Sequence, residues 1–301
     1  MQNLMSKHEL ELLVGDNAFH GISHLSQQRA RKRALSDNPA NVDYATRLVK
    51  LSLQNGASGF MFSVSGTTLS ILKGLNQEMP DLYAIIPYAY EYVRLATKVG
   101  GVSRLAMRLS RQIIFSRQIF SVIPNLIGLI RIDPSAFLRT YLIYEISRIK
   151  SAAGKKANLK SVLLQEVITD MALALNLDWF FKSYVQFFSK STIRPGFETR
   201  NFPYLVQKLK DWNIDFSKIT IAASFNKVGF QMNPSKDECE NALHDCKGAQ
   251  IICFSILAAG CIKLNDASAY LNTQSNLNAV VVGVSKEDHA RETFTLLQKL
   301  Q

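Results

Sequence analysis

Short apolar runs rich in β-branched and aromatic residues recur along this chain, and a stretch with helical spacing follows most of them. Leu12 to Asp16 is the first, and beyond a polar loop Val42 to Gln54 keeps Val42, Ala45, Val49 and Leu53 on one helical face. Ser58 to Val64 leads into Thr67 to Leu75, and Tyr83 to Tyr88 is a third strand. Ser161 to Val167, Gly196 to Thr199, Ile219 to Ser224, Gln250 to Ser255 and Ala279 to Gly283 bring the predicted strands to eight. Helix starts are marked as well. Ser235 stands three residues before Glu238, the capping-box spacing, and Ser285 has the same spacing to Asp288 ahead of an amphipathic run to Leu300. Alternating β and α segments imply a parallel sheet with right-handed crossovers. Eight units, with no Gly-rich dinucleotide fingerprint after the first strand, predict a closed (β/α)8 TIM barrel spanning 1–301 as one domain.

One connection breaks the rhythm. About 72 residues separate the third and fourth strands, far more than a βαβ crossover spends. Asp133-Pro134 marks a helix start, so Pro134 to Ala153 reads as the regular barrel helix and 91–132 as a helical insertion. Lys98 to Lys150 holds nine basic and two acidic residues, a net of +7. Arg104, Arg108 and Arg111 lie at helical spacing beside Leu105, Leu109, Ile113 and Phe120. Three readings of this basic amphipathic segment stand side by side: a lid or subunit contact, a peripheral contact with acidic membrane through 98–131, and, least supported because no binding module surrounds it, nucleic acid.

The composition narrows the classes. The chain has 301 residues, 47% hydrophobic and 20% charged, which excludes an intrinsically disordered protein. A net charge of +11 favours anionic partners, phosphorylated metabolites and nucleotides among them. The start of the chain lacks the pattern of a signal peptide, and no run of apolar residues is long enough to span a bilayer, so the expectation is a cytoplasmic protein, with membrane contact confined to the basic segment. The four cysteines, Cys239, Cys246, Cys253 and Cys261, form no CxxC pair and read as reduced thiols rather than metal ligands. Nothing in the sequence decides the oligomeric state, and a homo-oligomer remains open.

Barrel enzymes gather their sites at the C-terminal ends of the strands, which converts strand ends into candidates. These are Asp16, Asn17 and His20 after the first strand, Ser63 and Ser65 after the second, and Tyr88 and Glu91 after the third. Glu166 and Asp170 follow the fourth, Glu198, Arg200 and Asn201 the fifth, and Ser224, Asn226 and Lys227 the sixth. Glu166, read within an apolar strand, is the leading general acid/base, because desolvation raises a carboxyl there unless a cation such as Arg200 pairs with it. His20 is a neutral-pH proton carrier or a loop cap, with Asp16 and Tyr88 as the other catalytic candidates. Asn17, Glu198, Arg200 and Asn226 are the candidate substrate contacts. The last two strands end in Ser255 to Gly260 and Gly283 to Ser285, small residues that let backbone amides approach an anion.

These segments resemble the aldo-keto reductase superfamily. GDNAFHG is similar to its first-strand pattern, GFETRNF to its GxSNF segment, SFNKVGFQMNP to its sixth-strand region, CFSILAAG to its YSPLxxG loop and GVSKEDHARETF to its closing segment. The resemblance covers most of the chain outside 91–132 and implies an NADP-dependent oxidoreductase barrel. It implies that Asn201 lies beside a nicotinamide amide, that Phe254 stacks on the nicotinamide, and that Ser255, Leu257, Gly260, Gly283 and Ser285 line the phosphate path. The family's catalytic Asp, Tyr, Lys and His are not matched, since the second strand ends in Ser63-Val64-Ser65, the third in Pro87-Tyr88 and the fourth in Glu166. Carbonyl reduction needs a proton donor tuned by a neighbour, so the expectation is an oxidoreductase with non-standard acid/base residues.

Other readings stay open. A Schiff-base aldolase would need Lys227, a lysine in a loop expected to be wet. A lyase or isomerase acting on a phosphorylated metabolite could place a divalent metal among Asp16, His20, Glu166 and Glu198, although no paired ligand motif supports a metal. A non-catalytic binding protein would keep the barrel and the anion site alone.

Overall fold

The computed structural model describes residues 10–20, 39–76, 78–88, 97, 98, 100, 134–155 and 157–299. Eight parallel strands close into a barrel in the order β1 to β8: β1 (Glu11–Gly15), β2 (Gly59–Ser63), β3 (Asp81–Ile86), β4 (Asn158–Leu164), β5 (Arg194–Glu198), β6 (Thr220–Ser224), β7 (Gln250–Phe254) and β8 (Ala279–Gly283). The described helices are α1 (Pro39–Gln54), α2 (Gly66–Leu75), α3 (Pro134–Ala153), α4 (Glu166–Ala174), α5 (Asp178–Phe187), α6 (Phe202–Asp211), α7 (Lys236–Asp245), α8 (Leu264–Leu271) and α9 (Glu287–Lys299). This is the (β/α)8 TIM barrel that the alternation predicts.

The helices form where pattern and cap agree. Phe202, Leu205, Val206 and Leu209 give α6 a buried stripe, Pro203 sits in its first turn, and Lys208 and Lys210 lie in its last, where the helix dipole favours cations. Ser235 caps α7, its hydroxyl accepting the Glu238 amide at 3.2 Å, as the spacing predicts. Ser65 with Thr68 forms a full capping box that opens α2. Helix α9 begins at Glu287, a residue beyond the start that Ser285 as cap would give.

Strand faces alternate, so each strand sends every second side chain inward. Three layers fill the interior. At the N-terminal end, Tyr83 Oη donates to Glu11 at 2.6 Å, Gln250 donates to Tyr83 at 3.2 Å, and Thr220 donates to Gln250 at 3.0 Å. The middle layer is apolar, with Leu13, Met61, Ile85, Leu163, Ala222 and Ile252 all buried. Gly196 makes room within it, since a Cβ there would come within 2.6 Å of Leu163 and 2.9 Å of Ser161. The C-terminal layer is the mouth, described below. Outside the ring, the other face of each strand packs under the helices around Phe60, Phe62, Phe181, Phe197 and Phe294.

Three boundaries correct the expectations. The third strand is 81–86 rather than 83–88, and Asp16 lies just past β1. The fourth ends at Leu164, so Glu166 is the first residue of α4 and not part of an apolar strand. An acid in that first turn faces the free amides of the helix start, which helix formation favours over extension of the strand. Helix α5, an additional helix before β5, is absent from the sequence reading. Nearly all of the basic segment 98–131 lies outside the described residues, and so does Glu91. Among the described residues, no helix is long and apolar enough to cross a membrane.

Candidate active site at the C-terminal mouth

Following the inward register upward, the mouth is lined by Gly15, Ser63, Gln165, Glu198, Ser224, Phe254 and Gly283. Polar and side-chain-free positions thus replace the apolar layer beneath. Among the described residues, a Cβ on Gly283 would meet only the Gly15 carbonyl oxygen, at 4.0 Å, so neither backbone strain nor packing against them demands this glycine.

Glu198 ends β5 facing inward. One carboxyl oxygen accepts the Glu166 amide at 3.3 Å, and among the described residues the other has no hydrogen-bond partner. Burial, reinforced by the neighbouring Glu166 charge, pushes this carboxyl up to about 8, the Asp16 charge adding to the rise while the Glu166 amide and the Arg200 guanidinium only partly oppose it. Glu198 is therefore protonated at neutral pH and able to donate.

Arg200 organises the adjacent wall. Its Nε donates to Glu166 and its Nη1 to Gln231, while its guanidinium lies 5.3 Å from the centre of the Phe254 ring. Its own amide donates to Asp170 at 3.0 Å, and the Thr199 hydroxyl donates to the other Asp170 oxygen at 2.5 Å. Burial raises the Asp170 carboxyl, against these two bonds. Glu166, the leading acid/base candidate in the sequence, is thus one arm of an ion pair, the alternative arrangement that Arg200 made possible.

Across the mouth, Asp16 is buried, and its Oδ2 accepts the Ser63 amide at 2.7 Å and His20 Nε2 at 2.9 Å. The His20 ring lies 4.7 Å from that of Tyr88, so three of the four catalytic candidates form one cluster after β1 and β3.

The other expected residues divide by surroundings. Asn17 is exposed. Both ends of the Asn226 side chain are bonded to the Phe230 backbone at 2.8 Å, which ties a loop. Lys227 is exposed and paired with Asp266 at 3.2 Å, the opposite of the desolvated lysine an aldolase requires. Ser255 donates to Gln231 at 3.3 Å, and the turn after β7 runs through left-handed Ser255, Ala258, Ala259 and Gly260. Leu257 precedes the short 3-10 turn Ala258–Gly260 and packs against the core, and the Ser285 carbonyl accepts Tyr44 Oη at 3.5 Å. Among the described residues, no group of three or more His, Cys, Asp or Glu is placed to hold a metal ion.

Sequence reasoning missed Gln165, Thr199 and Gln231. Among the described residues, three buried side-chain atoms, Gln165 Oε1, Asn201 Oδ1 and Ser224 Oγ, have no hydrogen-bond partner, and they follow or end the successive strands β4, β5 and β6. Each is able to accept a hydrogen bond, so this half of the mouth suits a ligand rich in donors. The one available signal was polar residues at the ends of otherwise apolar strands.

No protein-family model and no curated protein sequence matches the chain. Among solved structures, the fold is similar to a chain described as "the putative aldo-keto reductase from Pseudomona aeruginosa", at 12% identity and a TM-score of 0.58, covering 96% of this chain and 90% of that one. A second structure, described as "Putative aldo-keto reductase from Pseudomona aeruginosa", aligns at 11% identity and a TM-score of 0.57, covering 96% of this chain and 89% of that one. At these identities the likeness establishes the closed barrel fold.

Proposed function

We propose that the chain is an oxidoreductase-like barrel enzyme that binds a phosphorylated or nucleotide ligand at this mouth and uses Glu198 as its proton donor. The reading is carried by the Glu198 carboxyl, half-buried on the inner face of β5, raised to about 8, and with one oxygen that has no hydrogen-bond partner among the described residues. Reduction of a carbonyl builds an alkoxide that must be protonated, and a carboxylic acid of that strength meets the need near neutral pH. The proton-donor role expected of Glu166 passes to Glu198, and Glu166 instead holds the Arg200 guanidinium above Phe254.

An NADP dinucleotide fits the residues present. Asn201 Oδ1, buried without a partner, would accept from a carboxamide N–H, and Gly283 would leave room for phosphate beside Ser255, Leu257, Gly260 and Ser285. Phe254 offers the ring face that Arg200 does not cover. When bound, the dinucleotide supplies hydride. The chain's own residues orient the carbonyl compound, exclude water and deliver the proton from Glu198. Arg200, at the rim and charged, draws an anionic substrate.

A second reading, a lyase or isomerase acting on a phosphorylated metabolite, is favoured by the same Arg200, since a guanidinium stacked on Phe254 suits an anionic substrate and needs no nicotinamide. Titration of the protein with NADPH and NADP, followed by cofactor and intrinsic fluorescence, separates the two. Saturable binding is expected. No binding at millimolar cofactor would leave the lyase or isomerase alone.

A further inference from the structure

We propose that His20, held by Asp16, is a second proton-transferring group of this mouth, and that with Glu198 it enolises small phosphorylated α-hydroxy ketones with no dinucleotide bound. The inference rests on Glu198 as proton donor and not on NADP binding. Position is the first argument. Asp16 directly follows β1 and Glu198 ends β5, and in a closed ring of eight strands these two are four strands apart in either direction. A substrate seated in the mouth therefore has one group on each side.

The geometry of the pair is the second argument. Asp16 is fixed by the Ser63 amide and accepts from Nε2, so the proton of a neutral His20 sits on Nε2 and the lone pair on Nδ1. Among the described residues, Nδ1 has no hydrogen-bond partner. Tyr88 holds the plane of the ring. A buried carboxylate on the far nitrogen stabilises the imidazolium that forms when Nδ1 takes a proton. Asp16 is in this sense a positioning residue.

The step balances without a co-reactant. His20 Nδ1 takes a proton from the carbon beside the carbonyl, the electrons of that C–H bond form a C=C bond, and the carbonyl π electrons take a proton from Glu198. The products are an enol, an imidazolium and a carboxylate, and the reverse step restores all three groups. The unpartnered acceptors Gln165 Oε1, Asn201 Oδ1 and Ser224 Oγ suit the hydroxyls of such a substrate, and Arg200 suits its phosphate.

The test is exchange of carbon-bound hydrogen in dihydroxyacetone phosphate in D2O, followed by proton NMR with the full-length protein and no dinucleotide. Enzyme-dependent loss of the C–H signal is expected, slowed at least 100-fold in both Glu198→Gln and His20→Gln, with circular dichroism showing that each variant folds. Asp16→Asn should slow it about tenfold and shift the His20 proton from Nε2 toward Nδ1 in nitrogen-15 spectra. Wild-type exchange no faster than buffer overturns the proposal. Exchange that persists in His20→Gln overturns the role of His20, whatever Glu198→Gln does. Failure to bind NADPH with exchange intact overturns the dinucleotide reading and leaves this one standing.

Discussion

The two ends of the barrel interior are built from the same eight strands and finished in opposite ways. At the N-terminal end every inward polar group named above has a partner, in the chain Thr220 to Gln250 to Tyr83 to Glu11, and Ser161 donates to the Arg194 carbonyl at 2.9 Å. At the C-terminal end Gln165 Oε1, Asn201 Oδ1 and Ser224 Oγ have none among the described residues, and Glu198 keeps a proton it would lose in water. A buried polar atom without a partner costs about 1–3 kcal/mol. A fold that satisfies one end and leaves the other unsatisfied places its stability at the first and its chemistry at the second. The glycines divide in the same way: Gly196 is required by side chains within 3 Å, whereas no described atom comes closer than 4.0 Å to a Cβ on Gly283.

The comparison is broken most severely by Glu198→Gln. Turnover should fall by 10²-fold or more, the usual worth of a positioned proton donor, as read by the rate of whichever reaction the NADPH or exchange assays reveal. The same variant has a stability signature of known sign. The native carboxyl binds its proton more tightly than the unfolded one, so Glu198 opposes folding increasingly as pH rises from its ordinary value near 4.5 to about 8, and by a constant amount above. Glu198→Gln should therefore raise the unfolding free energy above pH 8, by up to a few kcal/mol at about 1.4 kcal/mol per unit, and change it little below pH 4. Equal shifts at both pH values would contradict the raised carboxyl.

Tyr83→Phe attacks the other end. It removes the partner of Glu11 and of Gln250 and should cost about 1–3 kcal/mol in urea unfolding while leaving ligand affinity unchanged. A comparable loss of affinity would mean that the two ends are not independent. Gly283→Val should weaken ligand binding roughly tenfold, about 1.4 kcal/mol, with little loss of stability, because no described atom crowds a Cβ at this position. The finest comparison lies within one strand. Thr220→Val, at the paired end of β6, should destabilise by about 1 kcal/mol, whereas Ser224→Ala, at the unpaired end, should be neutral or stabilising.

Much of this architecture was legible in the sequence, because burying alternate faces of eight short strands leaves an apolar period that survives in any barrel. Helix α3 follows the expected 134–153 because Asp133-Pro134 is a strong start signal. The fourth strand was misplaced by three residues because Val162 to Val167 is apolar apart from Gln165 and Glu166, a run in which period alone does not separate a strand end from a helix start. That slip gave Glu166 an apolar setting that belongs to Glu198. The meeting of Asp16, His20 and Tyr88 was visible as three strand-end residues, since barrel topology gathers such ends whatever their separation along the chain. The stacking of Arg200 on Phe254 and the part played by Gln231 were not, because they depend on the left-handed backbone at Gln231 and on side-chain directions that no spacing encodes.

The central claim, that the mouth holds a protonated carboxyl on its β5 wall, is tested most directly by following the Glu198 side-chain carbonyl carbon in a carbon-13 NMR titration, assigned by its loss in Glu198→Gln. A midpoint near 8 is expected. A midpoint near 4.5 would show Glu198 ionised throughout the neutral range and would remove the proton donor from both reactions argued above.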